Sequence, residues 1–168
     1  MNGSMPLPGT FGRHYRVFGG PYRQRPLVTC GVKMAEEIDA VSHVSIPTKD
    51  FSVPSIELAT VGLERSVDLI LKGLPVYVGC MGGIGRTGFF LALIAKAWGI
   101  EDPIAYVRKH YIAHAVETEQ QKKYVRDFPI SPELRRHIMI GRLLNLKFKS
   151  GLTLNEETLL ALVPEKVR

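Results

Sequence analysis

One segment constrains this chain more than any other: Val76-Tyr77-Val78-Gly79-Cys80-Met81-Gly82-Gly83-Ile84-Gly85-Arg86-Thr87-Gly88. A short apolar β run leads into a glycine-rich turn, and the apolar stretch at 89–95 continues it as a helix from about residue 87 to 98. Five of the chain's 16 glycines fall between positions 79 and 88, too many for the interior of a strand or a helix, so a tight loop joins the two. A strand that feeds a helix this way converges backbone N–H groups and the positive end of the helix dipole on one point. That arrangement is a cradle for an anion.

The rest of the chain alternates strand and helix signals. Residues 15–18 and 26–30 read as short strands, 33–40 as a short helix and 41–46 as a weak strand. Ser55 is a good N-cap for a helix to Lys72, with Ile56, Ala59, Leu63, Val67 and Leu71 at near-helical spacing and Gly73 and Pro75 after it. Pro103 opens another helix, 117–127 reads as a further one, and Ser131-Pro132-Glu133 starts a longer one. A last helix is expected at 155–162. The pattern predicts an α/β fold with a mostly parallel central sheet covered by helices on both faces, plus a C-terminal helical appendage. The expected organisation is a flexible leader at 1–13, a catalytic domain at 14–130, and a helical extension at 131–168 packed on the core.

Two phosphate-binding loops compete for the glycine-rich spacing. A nucleotide-binding loop of the form G-x-x-x-x-G-K-[ST] fails twice, because its first glycine would fall on Cys80 and its lysine on Arg86. The alternative, C-x5-R-[ST], is satisfied by Cys80, Arg86 and Thr87. A thiol at the start of such a loop faces the bound anion, and the loop amides and helix dipole favour thiolate over thiol. Arg86 presents a planar fork that makes two hydrogen bonds to phosphoryl oxygens, which lysine cannot match. Thr87 can donate its hydroxyl to the sulfur or cap the helix. Met81, Gly82, Gly83, Ile84 and Gly85 line the cradle with backbone amides. Together these residues form a nucleophile and an oxyanion clamp for phosphoryl transfer through a cysteinyl-phosphate.

The loop resembles the active-site loop of the cysteine-based protein tyrosine phosphatase superfamily, with the pattern H-C-x2-G-x-G-R-[ST]-G. Cys80, Gly83, Gly85, Arg86, Thr87 and Gly88 match, and Gly79 stands where the family has a histidine that helps hold the loop. The resemblance implies a general acid about thirty residues upstream, on a loop after a strand. Asp50 occupies that place in Ile46-Pro47-Thr48-Lys49-Asp50-Phe51-Ser52-Val53-Pro54. This run is similar to the I-P-D-F-x-x-P loop of small atypical dual-specificity phosphatases, with Thr48-Lys49 interposed. Downstream, Val116-Glu117-Thr118-Glu119-Gln120-Gln121 resembles the family segment [IV]-E-T-x-x-Q, whose glutamine helps position the hydrolytic water. The spacing selects Gln121, with Gln120 as the alternate. Some members carry a second cysteine that forms a reversible disulfide with the oxidised nucleophile, and Cys30 is the candidate here. The competing reading of Cys30 is a small buried apolar residue.

The resemblance covers about residues 41–128. It implies a dual-specificity phosphatase-like fold and a reaction that needs no metal or other cofactor. It also implies substrates that are phosphorylated proteins or other phosphate monoesters, on tyrosine, serine or threonine. Phosphate, sulfate and vanadate-type anions are expected in the loop. Composition agrees with a globular chain: 168 residues, 45% hydrophobic and 23% charged. Two cysteines exclude a disulfide scaffold and a four-cysteine zinc site. The net charge of +6 favours anionic partners. It keeps a 5′-phosphorylated RNA open as substrate, although no aromatic stacking motif for nucleic acid is present. A catalytically weak module that holds phosphorylated ligands is the other alternative. The longest apolar run is too short to span a bilayer and the N-terminus lacks the apolar core of a signal peptide, so a cytoplasmic location is expected.

Overall fold

Apolar and polar residues alternate along the strands, and this alternation decides which side of the sheet the helices cover. The computed structural model describes residues 3–10 and 14–150. Its strands are β1 (Gly3–Pro8), β2 (His14–Pro21), β3 (Cys30–Ala35), β4 (Val44–Thr48) and β5 (Val76–Cys80). The helices are α1 (Ile56–Leu71), α2 (Gly85–Ala97), α3 (Pro103–His110), α4 (Glu119–Asp127) and α5 (Pro132–Ser150), and Tyr22–Gln24 form a single 3₁₀ turn. The sheet order is β1-β2-β5-β3-β4. Only β1–β2 is antiparallel; the other neighbours run parallel.

Register aligns one apolar face across all five strands. Met5 pairs with Val17, Val17 with Val76, Val32 with both Val78 and Val44, and all six are buried along with Leu7 and Ile46. Helix α1 presses on this face so closely that Gly62 leaves no space for a side chain against Ile46. Leu91 of α2 reaches Gly19 of β2 on the same side. The opposite face carries Arg16, Lys33 and Ser45, with Tyr77 and Tyr22 buried at its centre. Both helices packed on the sheet's centre thus lie on one side, where alternation predicted cover on both. The polar residues at 16, 33 and 45 are what keep the second face wet.

Two further expectations change. Residues 3–8, expected in a flexible leader, form an edge strand that buries Met5 and Leu7 completely. Residues 33–35, expected to begin a helix, belong to β3, because Val32 and Met34 are needed in the sheet's apolar face. The helix expected at 155–162 lies outside the described residues. Other signals behaved as read: the Ser55 hydroxyl accepts the Leu58 N–H at 3.2 Å, and Pro132 opens α5. Helix α5 packs through the buried Leu134 and Ile138, and the Asn145 amide donates to the Leu71 carbonyl at 2.5 Å. No described helix is long and apolar enough to cross a membrane.

The one-sided core gives a direct test on adjacent residues of one strand. Ile46→Ala should cost about 2–5 kcal/mol in urea denaturation, the usual range for emptying a closed core site. Ser45→Ala should stay within about 0.5 kcal/mol of wild type, as an exposed substitution does.

Candidate active site

Strand β5 is buried along its whole length, and its last residue is Cys80. Residues 81–84 then turn into α2, whose first turn contains Arg86, Thr87 and Gly88. Gly83 sits at φ +73°, a conformation that L side chains rarely adopt, and a Cβ there would also meet the Pro21 nitrogen at 2.6 Å. The turn closes around the sulfur. Cys80 Sγ accepts the Gly83 N–H and the Thr87 hydroxyl, each at 3.2 Å, in a nearly sealed setting where the cysteine is 3% exposed. Thr87 therefore donates to the Cys80 sulfur, one of the two roles its position allowed.

Arg86 is 2% exposed and is the largest fully buried side chain of the described residues. Its two Nη groups bind Glu37 in a bidentate pair at 2.6 and 2.8 Å, and Nη1 also donates to the Thr48 carbonyl at 2.8 Å. Asp50 Oδ1 stands 3.1 Å from Nη2. Burial works against the guanidinium charge, but the Glu37 hydrogen bond and the charges of Cys80, Glu37 and Asp50 outweigh it and hold the group above its ordinary value. In return, the hydrogen bond from Arg86 draws the Glu37 carboxyl below its usual range. The Nε of Arg86 is buried and has no partner. In a site this dry, that N–H is a donor left for an incoming oxygen.

The loop that carries Asp50 follows β4. Asp50 is 63% exposed at its side chain, so it is open to a substrate while held against Arg86. The interposed Thr48 does not push it away: Thr48 is buried and ends β4, and its carbonyl is the one bound by Arg86. Phe51 next to it adopts φ +56°, stabilised by its N–H donating to Asp50 Oδ1 at 3.1 Å.

Gln121 is fully buried where α4 meets this loop. Its Oε1 accepts the Glu117 N–H at 3.0 Å and the Thr118 N–H at 3.4 Å, the second completing a capping box with Thr118, and its Nε2 donates to the Ser52 carbonyl at 3.4 Å. The same amide nitrogen and the Glu117 carboxylate lie against Gly85 and leave it no room for a side chain. The alternate, Gln120, is on the exposed side of α4. The structure thus brings Cys80, Arg86, Thr87, Asp50 and Gln121 to one end of the sheet.

Cys30 is not among them. It pairs with Val76, four residues before Cys80 on the neighbouring strand. At about 3.3 Å per residue the separation is roughly 13 Å, well beyond the ~7 Å between Cα atoms that a disulfide can bridge. The expectation of a redox partner fails on register: Cys30 begins its strand, whereas Cys80 ends one.

Glu37 was not singled out in the sequence. It lies 49 positions from Arg86, and no local motif announces a carboxylate that pairs at such range. Arg108 is a second such residue. Its guanidinium holds the carbonyls of Ala115 and Val116 at 3.0 and 3.1 Å, which fixes Val116 at φ +60° against Gly88 of the active-site helix. The structure also accounts for Gly79. A Cβ there would lie 2.8 Å from Tyr22 Cα and 3.0 Å from the Gly20 carbonyl, so the histidine of the family pattern has no room.

Residues 29–99 match a family described as "Polymorphic toxin system, DSP-PTPase phosphatase". Two uncharacterized proteins of Methanocaldococcus jannaschii are each 40% identical over 87 residues, 49% of this chain; the match spans 56% and 52% of their own lengths, so the chain covers about half of each. Tyrosine-protein phosphatase 2 of Schizosaccharomyces pombe is 29% identical over 99 residues, 59% of this chain and 13% of that protein. The crystal structure of Tk-PTP in its active form superimposes with a TM-score of 0.54 at 23% identity, covering 60% of this chain and 78% of that one, which shows a shared fold.

The Glu37–Arg86 pair gives a prediction with a defined pH window. A carboxylate whose value is drawn down supports its partner above the ordinary glutamate value of about 4.3 and loses it as the pH falls further. Glu37→Gln should weaken binding of inorganic phosphate about tenfold near neutrality, as loss of a charged hydrogen bond does. Calorimetry at falling pH should show that gap closing below about pH 4.

Proposed function

We propose that this chain, whose residues 29–99 match a DSP-PTPase phosphatase family, hydrolyses phosphate monoesters through a cysteinyl-phosphate. The observation that carries the reading is the unpartnered, buried Nε of Arg86 in the same loop that encloses Cys80 Sγ. A dianionic phosphoryl group supplies the acceptor that this donor lacks, and the amides of residues 81–85 complete the clamp.

The steps follow from the side chains present. Cys80 Sγ attacks phosphorus in line and the ester P–O bond breaks. Asp50, open to solvent and tethered at Arg86, gives its proton to the departing oxygen. A water then attacks phosphorus, the S–P bond breaks and Cys80 is regenerated. Asp50 takes the water's proton, and Gln121 helps position that water beside the acid loop. Phosphotyrosine, phosphoserine or phosphothreonine in a protein supplies the monoester. A free thiol at Cys80 fits a reducing, cytoplasmic setting.

Hydrolysis of an aryl phosphate should be blocked by vanadate, be unaffected by EDTA, and be lost in Cys80→Ser. Asp50→Asn should lower kcat by about 10²–10⁴, the usual worth of a positioned acid and base. A stable Cys80→Ser protein with undiminished turnover would overturn the assignment. Wild type that binds phosphate but shows no burst of product in a single turnover would make the domain a phospho-ligand binder. Phosphopeptides and 5′-phosphorylated RNA assayed side by side identify the substrate class, because only an RNA substrate should lose affinity steeply with added salt.

A further inference from the structure

An anion cradle works only if its peptide groups turn their N–H atoms inward, and between β5 and α2 neither a ladder nor a helix orients them. One peptide is fixed by the sulfur, since the Gly83 N–H donates to Cys80 Sγ. The next peptide joins Gly83 to Ile84. Its carbonyl oxygen accepts a hydrogen bond from the Tyr111 hydroxyl at 2.5 Å. No described peptide bond is cis. In a trans peptide the C=O and N–H point in opposite directions, so anchoring the Gly83 carbonyl on Tyr111 aims the Ile84 N–H the other way. We propose that Tyr111 is a positioning residue that turns the Ile84 N–H into the phosphate cradle, acting on substrate through the loop backbone. The role rests on the phosphatase reading above.

Three features make Tyr111 suited to this. Its ring is gripped by the edge of the sheet: a Cβ at Gly3 would lie 2.6 Å from Tyr111 Cδ2, and one at Gly19 would lie 3.0 Å from Cε2 and Cζ. The backbone is anchored as well, because the Tyr111 N–H donates to the Val107 carbonyl at 2.8 Å and closes α3. The hydroxyl is thus located by β1, β2 and α3 together. The phenol also remains a donor. Burial raises it far above its ordinary value, and the negative charges of Cys80 and Tyr77 push the same way. It stays protonated at neutral pH and keeps its hydrogen for the Gly83 carbonyl.

The arrangement also fills a gap. With Gly79 closed to any side chain by Tyr22, the residue before the nucleophile cannot brace the loop. Tyr77, the other buried phenol nearby, directs its hydroxyl to the Pro21 carbonyl at 3.1 Å. Tyr111 braces the loop from the helical side.

Tyr111→Phe keeps the ring in its slot and removes only the donor. In a Cys80→Ser background, calorimetry with inorganic phosphate should show about tenfold weaker binding in Tyr111→Phe, the worth of one oriented hydrogen bond. In the active protein, alkylation of Cys80 by iodoacetate should slow relative to alkylation by iodoacetamide, because only the anionic reagent uses the cradle. Replacing Tyr111 with 4-aminophenylalanine restores an N–H donor and should recover both readouts, which a packing defect would not allow. Phosphate affinity within twofold of the parent in Tyr111→Phe, with an unchanged alkylation ratio, would overturn the proposal. These measurements need no turnover, so failure of the positioning role is distinguished from failure of the hydrolase reading, which the Cys80→Ser turnover assay reads.

Discussion

A guanidinium taken out of water needs partners, or its burial costs more than the fold can return. Arg86 finds them at both Nη groups, with Nε alone left open, by drawing three segments together. Glu37 comes from the turn after β3, Thr48 and Asp50 from the end of β4, and the arginine itself from the first turn of α2. All of them lie beyond the carboxyl ends of parallel strands, where open α/β sheets bind ligands. The site is therefore assembled by one buried charge. The acid loop is fixed less by its own sequence than by a carbonyl that Arg86 needs.

From Arg86 the order spreads outward. With Thr48 bound, Asp50 and the left-handed Phe51 follow in a conformation that an unsupported loop would relax. Gln121 then ties Ser52 to the start of α4, and the same helix start packs on Gly85. Loop, acid and glutamine thus form one closed circuit. A disturbance at any of them reaches the others through one or two hydrogen bonds, so substitutions around this circuit should not add independently.

Local chemistry was legible in the sequence and long-range geometry was not. Cys80, Arg86 and Thr87 declare themselves by spacing within one turn, and Asp50 by its place in a proline-bounded loop. Glu37 is invisible because a carboxylate in a loop has countless solvated readings and its partner lies far along the chain. Cys30 misled for the related reason that two strands can be predicted without their register. Residues 3–8 hid behind composition: Gly, Ser and two prolines look like a leader, yet an edge strand tolerates proline, and Met5 and Leu7 decide the matter by filling the core. The alternation of strands and helices indicated a parallel sheet correctly. It could not reveal that the second face would be left to Tyr22, Tyr77 and polar side chains.

Tyr22 lies across the backbone of β5 at position 79, and its hydroxyl reaches the Val41 carbonyl at 2.8 Å. A histidine before the nucleophile and a 3₁₀ turn in this place are thus rival tenants of one volume. Restoring a side chain at position 79 would therefore require the turn to move, because the first atoms it meets are backbone atoms. A brace for the loop comes from another direction, through Tyr111.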